Sequence, residues 1–254
     1  MTPDTAFYLT AIPAVVLVGL TKGGMGEALS MMGVPLLALV VTPVKAAAIL
    51  LPVLIFMDWV SLWIWRKHSN PTLLKVMLPG ALIGVGIGWA TAAMVPAGIL
   101  RLLIGSMTII FALRYFYNRY RANRGTPMPV RAHNRPAATF WGALSGYTSF
   151  VTHAGGPPFQ IYALPLGLDP KDYTGTSVRF FAVVNMVKFG AYAALGQFDT
   201  DNLWISMTLL PFAPFATIAG AWIVKRMRPE TYYPFMYGMA LLAAIKLFIS
   251  GLPV

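Results

Sequence analysis

The sequence predicts an all-α polytopic membrane protein. It is built as two inverted repeats, each a short broken or re-entrant helical hairpin followed by three transmembrane helices. Three observations carry this reading. Of 254 residues, 57% are hydrophobic and only 11% charged, where a soluble domain carries roughly a quarter. Apolar segments recur along the whole chain, and with roughly 20 residues needed to cross a bilayer core the length accommodates about eight passes and little loop. Glycine and proline landmarks recur in the same order in both halves, and equivalent loops carry opposite charge. A soluble globular enzyme and a large extramembrane domain are both excluded.

In chain order, apolar segments cover residues 5–21, 28–41, 44–65, 73–95, 99–118, 137–152, 157–167, 173–196, 203–224 and 231–250. Six are long enough to cross alone. The other four are short and form two adjacent pairs, each interrupted by glycine: Lys22-Gly23-Gly24-Met25-Gly26 and His153-Ala154-Gly155-Gly156-Pro157-Pro158. Broken helices are tolerated in a bilayer only where protein or a wet cavity shields the freed backbone. Residues 119–135, rich in Arg, Asn, Gly and Pro, form a basic cytoplasmic linker between a first repeat at 1–118 and a second at 136–254.

The repeat is read from landmarks. Gly24 corresponds to Gly156, Pro43 to Pro170, Asp58 to Asn185, Pro79 to Pro211, Gly88 to Gly220 and Gly105 to Gly238, with offsets of 127 to 133 residues. Charge then sets orientation. Arg66, Lys67 and Lys75 make one loop basic, while its counterpart holds Asp199 and Asp201. The turn at 95–99 is uncharged, while its counterpart holds Lys225, Arg226 and Arg228. Equivalent positions therefore face opposite sides, as in many secondary transporters. With the basic loops cytoplasmic, both termini are external, and the two hairpins enter from opposite faces with tips meeting near the midplane. Counting the short helices as crossings gives ten passes; otherwise six.

Net charge is +11, but twelve of the 19 Lys and Arg lie in three clusters beside apolar segments. That is a membrane-topology pattern rather than a nucleic-acid surface. The segment from Met1 to Tyr8 has Asp4 and no Lys or Arg, so a cleaved signal peptide is not expected. With no cysteine, disulfides, thiolate nucleophiles and cysteine metal sites drop out. No Walker loop, His-Glu-x-x-His helix or Ser/His/Asp constellation appears, and neither a metal nor another cofactor is expected.

The chemistry concentrates at the two glycine turns. Helix ends there present free amides and positive dipole ends, a means of holding an anion. Gly23, Gly24 and Gly26 let the first turn approach a ligand closely, and Gly155 and Gly156 the second. Any one of these glycines can equally serve close helix packing. Lys22 pairs either with an anionic substrate or with Glu27. His153 is either an anion or proton site or a hydrogen-bonded packing residue. Thr21, Thr148, Ser149 and Thr152 offer hydroxyls near the same depth. Ionisable groups inside spans face a cavity or a partner: Asp58 is a candidate buried counter-ion for Lys188, which shares a helix face with Asn185. Arg179 is either part of this set or a structural, snorkelling residue. Arg101, Lys246 and Lys45 read as interfacial anchors, and Trp59, Trp63 and Trp65 as an interface belt.

At Gly19-Leu20-Thr21-Lys22-Gly23-Gly24-Met25-Gly26 with Gly33-Val34-Pro35, and again at Gly142 to Gly156, Gly175-Thr176 and Asn185-Met186-Val187-Lys188, the chain resembles the sulfite exporter TauE/SafE family. The resemblance implies a bacterial inner-membrane carrier that moves sulfite, sulfoacetate or a related small anion, usually outward. Three readings follow. The first is a secondary transporter exporting a small sulfur oxyanion or organosulfonate by alternating access, as a uniporter or with a coupling proton or sodium ion on Asp58 or His153. The second is an importer, or a carrier of another anion such as a carboxylate. The third is an intramembrane enzyme or assembly factor, which the missing nucleophile and metal motifs disfavour. The expected partners are the anion and the lipid bilayer; the oligomeric state is open.

Overall fold

The computed structural model describes residues 5–26, 32–91, 94–124, 130–194 and 200–252. The chain folds as helices α1 (Thr5–Leu20), α2 (Gly33–Leu37), α3 (Pro43–Ile64), α4 (Pro71–Thr91), α5 (Ala97–Ala122), α6 (Arg135–Thr152), α7 (Gly156–Ala163), α8 (Pro170–Ala194), α9 (Thr200–Leu209), α10 (Phe212–Arg226) and α11 (Pro229–Gly251). A wide turn at Thr21–Met25 follows α1, and a single 3₁₀ turn at Leu164–Leu166 follows α7. Local chemistry sets several starts. The Thr42 side chain accepts from Lys45 N and the Asn134 side chain from Ala137 N, as capping residues do. Proline opens α3, α4, α8 and α11, where its missing N–H costs nothing.

The protein is a multi-pass membrane protein. Four described helical segments, Thr5–Met25, Pro71–Thr91, Gly98–Ala122 and Pro229–Gly251, are long and apolar enough to cross. The segment expected to span at 203–224 is bent: 202–209 and 212–226 meet at 48° around Pro211, which removes an amide from the ladder. The outer surface is apolar, with Trp59, Trp63, Ile83, Trp89, Ile110 and Trp222 exposed, while Lys22, Asp58, Asn185 and Lys188 are buried. That inversion of the soluble pattern suits lipid as the solvent. Trp65 departs from the expected interface belt: it is fully buried, because its indole N–H is used inside the protein.

Hydrogen bonds gather the basic segments at one end of the molecule. Arg179 donates to the carbonyls of Trp65, Arg66 and His68, Arg119 to that of Glu230, and Lys225 lies over the Trp65 ring. The hairpin α6–α7 leaves this end and returns to it, since Tyr162 on α7 bonds both His133 and Asn134. The opposite end joins α1, α3 and α9, through Tyr8 to Thr208 and Ser206 to the Ile49 carbonyl. The hairpin beginning with α1 opens towards that end. Its return limb is described only from Met32 onward, so the start of the apolar segment expected at 28–41 lies outside the described residues.

The tightest seams join the two halves. Gly80 and Gly84 of α4 press on the backbone of Thr139 and Ala143 of α6, and Gly142 and Gly146 of α6 press back on Met77 and Ala81. On the other side Gly23 abuts Ala221 N of α10, and Gly220 abuts the Leu20 backbone. Gly105 of α5 meets Phe248 N of α11. These are the small-residue contacts by which helices approach in a bilayer, where no hydrophobic effect drives them together.

A candidate anion site between two broken hairpins

The first turn begins at Thr21. Gly24 at φ 123° and Gly26 at φ 87° hold backbone that only glycine adopts freely. α3 fixes the turn through one stripe: Asp58, Ser61 and Trp65, three and four residues apart, lie on one helical face. Ser61 Oγ donates to the Lys22 carbonyl at 2.7 Å and Trp65 Nε1 to the Gly23 carbonyl at 3.1 Å. The second turn is fixed from within its own hairpin. Ser145 Oγ donates to the Gly155 carbonyl at 2.6 Å and Thr148 Oγ1 to the Ala154 carbonyl at 3.0 Å. His153 turns the chain at φ 54°, the one described non-glycine residue with positive φ. α7 then starts Gly156-Pro157-Pro158, so Gly156, with Gly155 before it, supplies the main-chain N–H groups there.

Charges converge between the turns. Lys22 Nζ lies 2.8 Å from Asp58 Oδ1, and Asn185 Nδ2 donates to Asp58 Oδ2 at 2.7 Å. Asp58 thus pairs with Lys22, not with Lys188 as the shared depth suggested. Lys188 Nζ donates instead to the Ser149 carbonyl at 2.8 Å and sits 3.3 Å from His153 Nδ1. A cavity of about 60 Å³ lies among Lys22, Ser149, His153, Gly155, Gly156, Asn185 and Lys188, walled by Val18, Val34, Leu50, Leu54 and Phe181. One water-sized sphere takes roughly 10–15 Å³, so the space suits a body of about four heavy atoms. Among the described residues the ammonium groups of Lys22 and Lys188 line it, with the Asp58 carboxylate behind Lys22, and the cations favour a negatively charged occupant where the dielectric is low.

Several predicted residues lie elsewhere. Gly23 is packed on α10, with no room for a Cβ beside Thr217 and Ala221. Gly24 and Gly26 border a second, smaller cavity that also touches Lys22. Thr152 bonds back to the Thr148 carbonyl, and Thr21 to that of Val18. Arg179 is committed to the carbonyls at the end of α3 and to Gly175. Glu27, the other acid considered for Lys22, lies outside the described residues. The corners do not touch: Gly24 packs on Thr174 and Gly155 on Phe181, seven residues or about 10 Å further along α8. The Lys22 side chain spans that gap.

Among the residues at the two cavities and the first turn, Ser61, Gln160, Thr174, Ser177 and Phe181 escaped the sequence reading. The signal was present in α8, where Thr174, Ser177, Phe181, Asn185 and Lys188 recur at three- and four-residue steps and all line one cavity or the other.

No curated protein and no solved structure matches the chain. A family model described as "Sulfite exporter TauE/SafE" matches residues 11–247, a stretch that takes in both turns, Asp58, the α8 stripe and nearly every helix around the cavity. The protein belongs to the sulfite exporter TauE/SafE family of membrane transporters.

Proposed function

We propose that the chain is a secondary transporter that exports a small sulfur oxyanion or organosulfonate, such as sulfite or sulfoacetate, across the bacterial inner membrane by alternating access. The observation that carries this is the central cavity, lined by the ammonium groups of Lys22 and Lys188, the first of them held by Asp58. In this reading the anion lies between the two ammonium groups, with the Gly155 and Gly156 amides and the dipole of α7 adding donors. Asp58 and Asn185 keep Lys22 in place when the cavity is empty. The family description supports the substrate class.

The inverted-repeat reading is supported by which helices touch. α1 packs on α10 and α6 on α4, the two pairs a two-fold axis between the halves would exchange; α5 with α11 and α3 with α8 are pairs it would map onto themselves. The Asp58–Asn185 hydrogen bond joins equivalent positions across that axis. With the basic end cytoplasmic, both termini are external. The membrane potential, negative inside, then drives anion exit by about 2.3 kcal/mol per charge per 100 mV.

Flux into proteoliposomes under an imposed potassium-diffusion potential tests the proposal. Sulfite or sulfoacetate flux should rise with the potential, saturate, and fall at least tenfold in Lys188→Met. If neither anion moves while a carboxylate does, the substrate class is wrong; if no anion moves, the transport reading is wrong.

A further inference from the structure

Lys22 and Phe181 border two cavities, not one. The central cavity lies on one side of the Phe181 ring. On the other side, towards the basic end, is a space of about 10 Å³ bordered by Lys22, Gly26, Gln160, Thr174, Ser177 and Phe181. The Lys22 ammonium stands 6.0 Å from the centre of the Phe181 ring, so one cation serves both compartments. Gln160 on α7 is only 2% exposed, and its Nε2 has no hydrogen-bond partner among the described residues. An amide N–H₂ left unpaired in the interior is costly, so a fold keeps one where something else pairs with it. The Thr174 hydroxyl nearby is already spent on the Pro170 carbonyl and the Tyr232 hydroxyl. Gln160 is therefore a free donor aimed at a space that a lysine also faces. Phe181 is packed against Phe159 and Phe180, and its ring edge lies 3.2 Å from where a Cβ on Gly155 would stand. Glycine at 155 leaves the ring the room that any side chain would take.

We propose that Gln160 Nε2 and Lys22 Nζ hold the transported anion at a second position on the basic-end side of Phe181, and that the Phe181 ring is the partition it passes to reach the central cavity. This rests on the transport reading above. The ligand is a small oxyanion, whose oxygens accept from the glutamine amide and the lysine at once. In the present conformation the position is collapsed to the size of a single water, and it opens as α7 and α8 part. Lys22 stays with the anion through the transfer while its neutral partner changes from Gln160 to the glycine amides of the second turn.

The test is the sidedness of affinity. In liposomes of uniform orientation, KM for sulfite is measured with substrate presented to the face bearing the basic loops, and then to the opposite face. Gln160→Leu should raise KM at the basic face at least fivefold and leave the opposite face within twofold. Gln160→Asn, which keeps the amide but shortens its reach, should fall between and provides the same readout if the leucine variant does not fold. Phe181→Ala should raise the flux of a bulky aromatic sulfonate relative to sulfite at least fivefold. Equal KM changes at both faces, or none at either, with normal wild-type flux, overturn this proposal alone. A wild-type protein that moves neither sulfite nor sulfoacetate overturns the transport reading and this proposal together.

Discussion

Replacing Asp58 with asparagine keeps the shape of the side chain and removes its charge, which isolates the value of the pair with Lys22. Both partners are buried, at 4% exposure each, and their charged atoms are 2.8 Å apart. Removing one member of a buried ion pair costs about 3–5 kcal/mol, because the remaining charge loses its compensation in a poor solvent. Asn185 still finds an acceptor on the new amide, so the loss falls on Lys22. For a chain of this size roughly 2–4 °C of melting temperature accompanies each kcal/mol, which puts the expected drop at roughly 6–20 °C. The double variant Asp58→Asn with Lys22→Met removes both charges together. It should recover most of the drop, since an apolar pair of similar volume is commonly neutral or better. Its anion flux should nevertheless stay abolished, so stability and transport part company. The assay is the temperature at which half the detergent-solubilised protein stays monodisperse, run as a double-mutant cycle. An Asp58→Asn protein that melts with the wild type, or a double variant less stable than either single one, would refute the reasoning.

Gly23→Ala places a methyl against Thr217 and Ala221 of α10 and should cost about 1–3 kcal/mol by overpacking, whereas Gly86→Ala, with open space around it, should gain up to about 1 kcal/mol from helix propensity; paired melting curves decide. Arg179→Lys keeps the charge but loses the planar fork that serves four carbonyls at once; a fall of about 2 kcal/mol in stability with an unchanged KM for sulfite is expected, and a changed KM would place Arg179 in the substrate path. His153→Gly relieves a left-handed conformation worth about 1 kcal/mol, so the variant should melt no lower than the wild type while its sulfite flux falls; unimpaired flux would reduce His153 to a turn residue.

The parts legible in the sequence were those written as breaks in an otherwise uniform text. Glycine runs inside apolar segments marked both turns. The asymmetry of basic loops anticipated one basic end, and the landmark pairing of Asp58 with Asn185 anticipated a contact that the structure shows as a 2.7 Å hydrogen bond. What the sequence hid were choices among partners at similar depth. Lys188 was the cation assigned to Asp58, and Lys22 was weighed only against the anion or Glu27; the direction of the Lys22 side chain after the first turn brings it to Asp58 instead. Arg179, roughly two turns from the helix end and about half a turn round from Lys188, was open between a site and a structural role; it caps the end of α3. Trp65 read as interfacial because it ends an apolar run. Its spacing from Asp58 and Ser61 was the better guide, since a stripe of hydrogen-bonding side chains down one side of an apolar helix points at something that needs bonding. Gln160 carried no comparable mark.

The glycine seams bear on how such a chain is made. The grooves that α1, the turn after it, α4 and α5 offer through Gly19, Gly23, Gly80, Gly84 and Gly105 are filled by atoms from residues 139–248. Early helices must therefore wait in the bilayer, half finished, until late ones emerge from the insertion machinery and dock onto them. The closest helix seams of each half are completed by the other, so the two halves produced as separate fragments should be short-lived alone and rescue each other when made together.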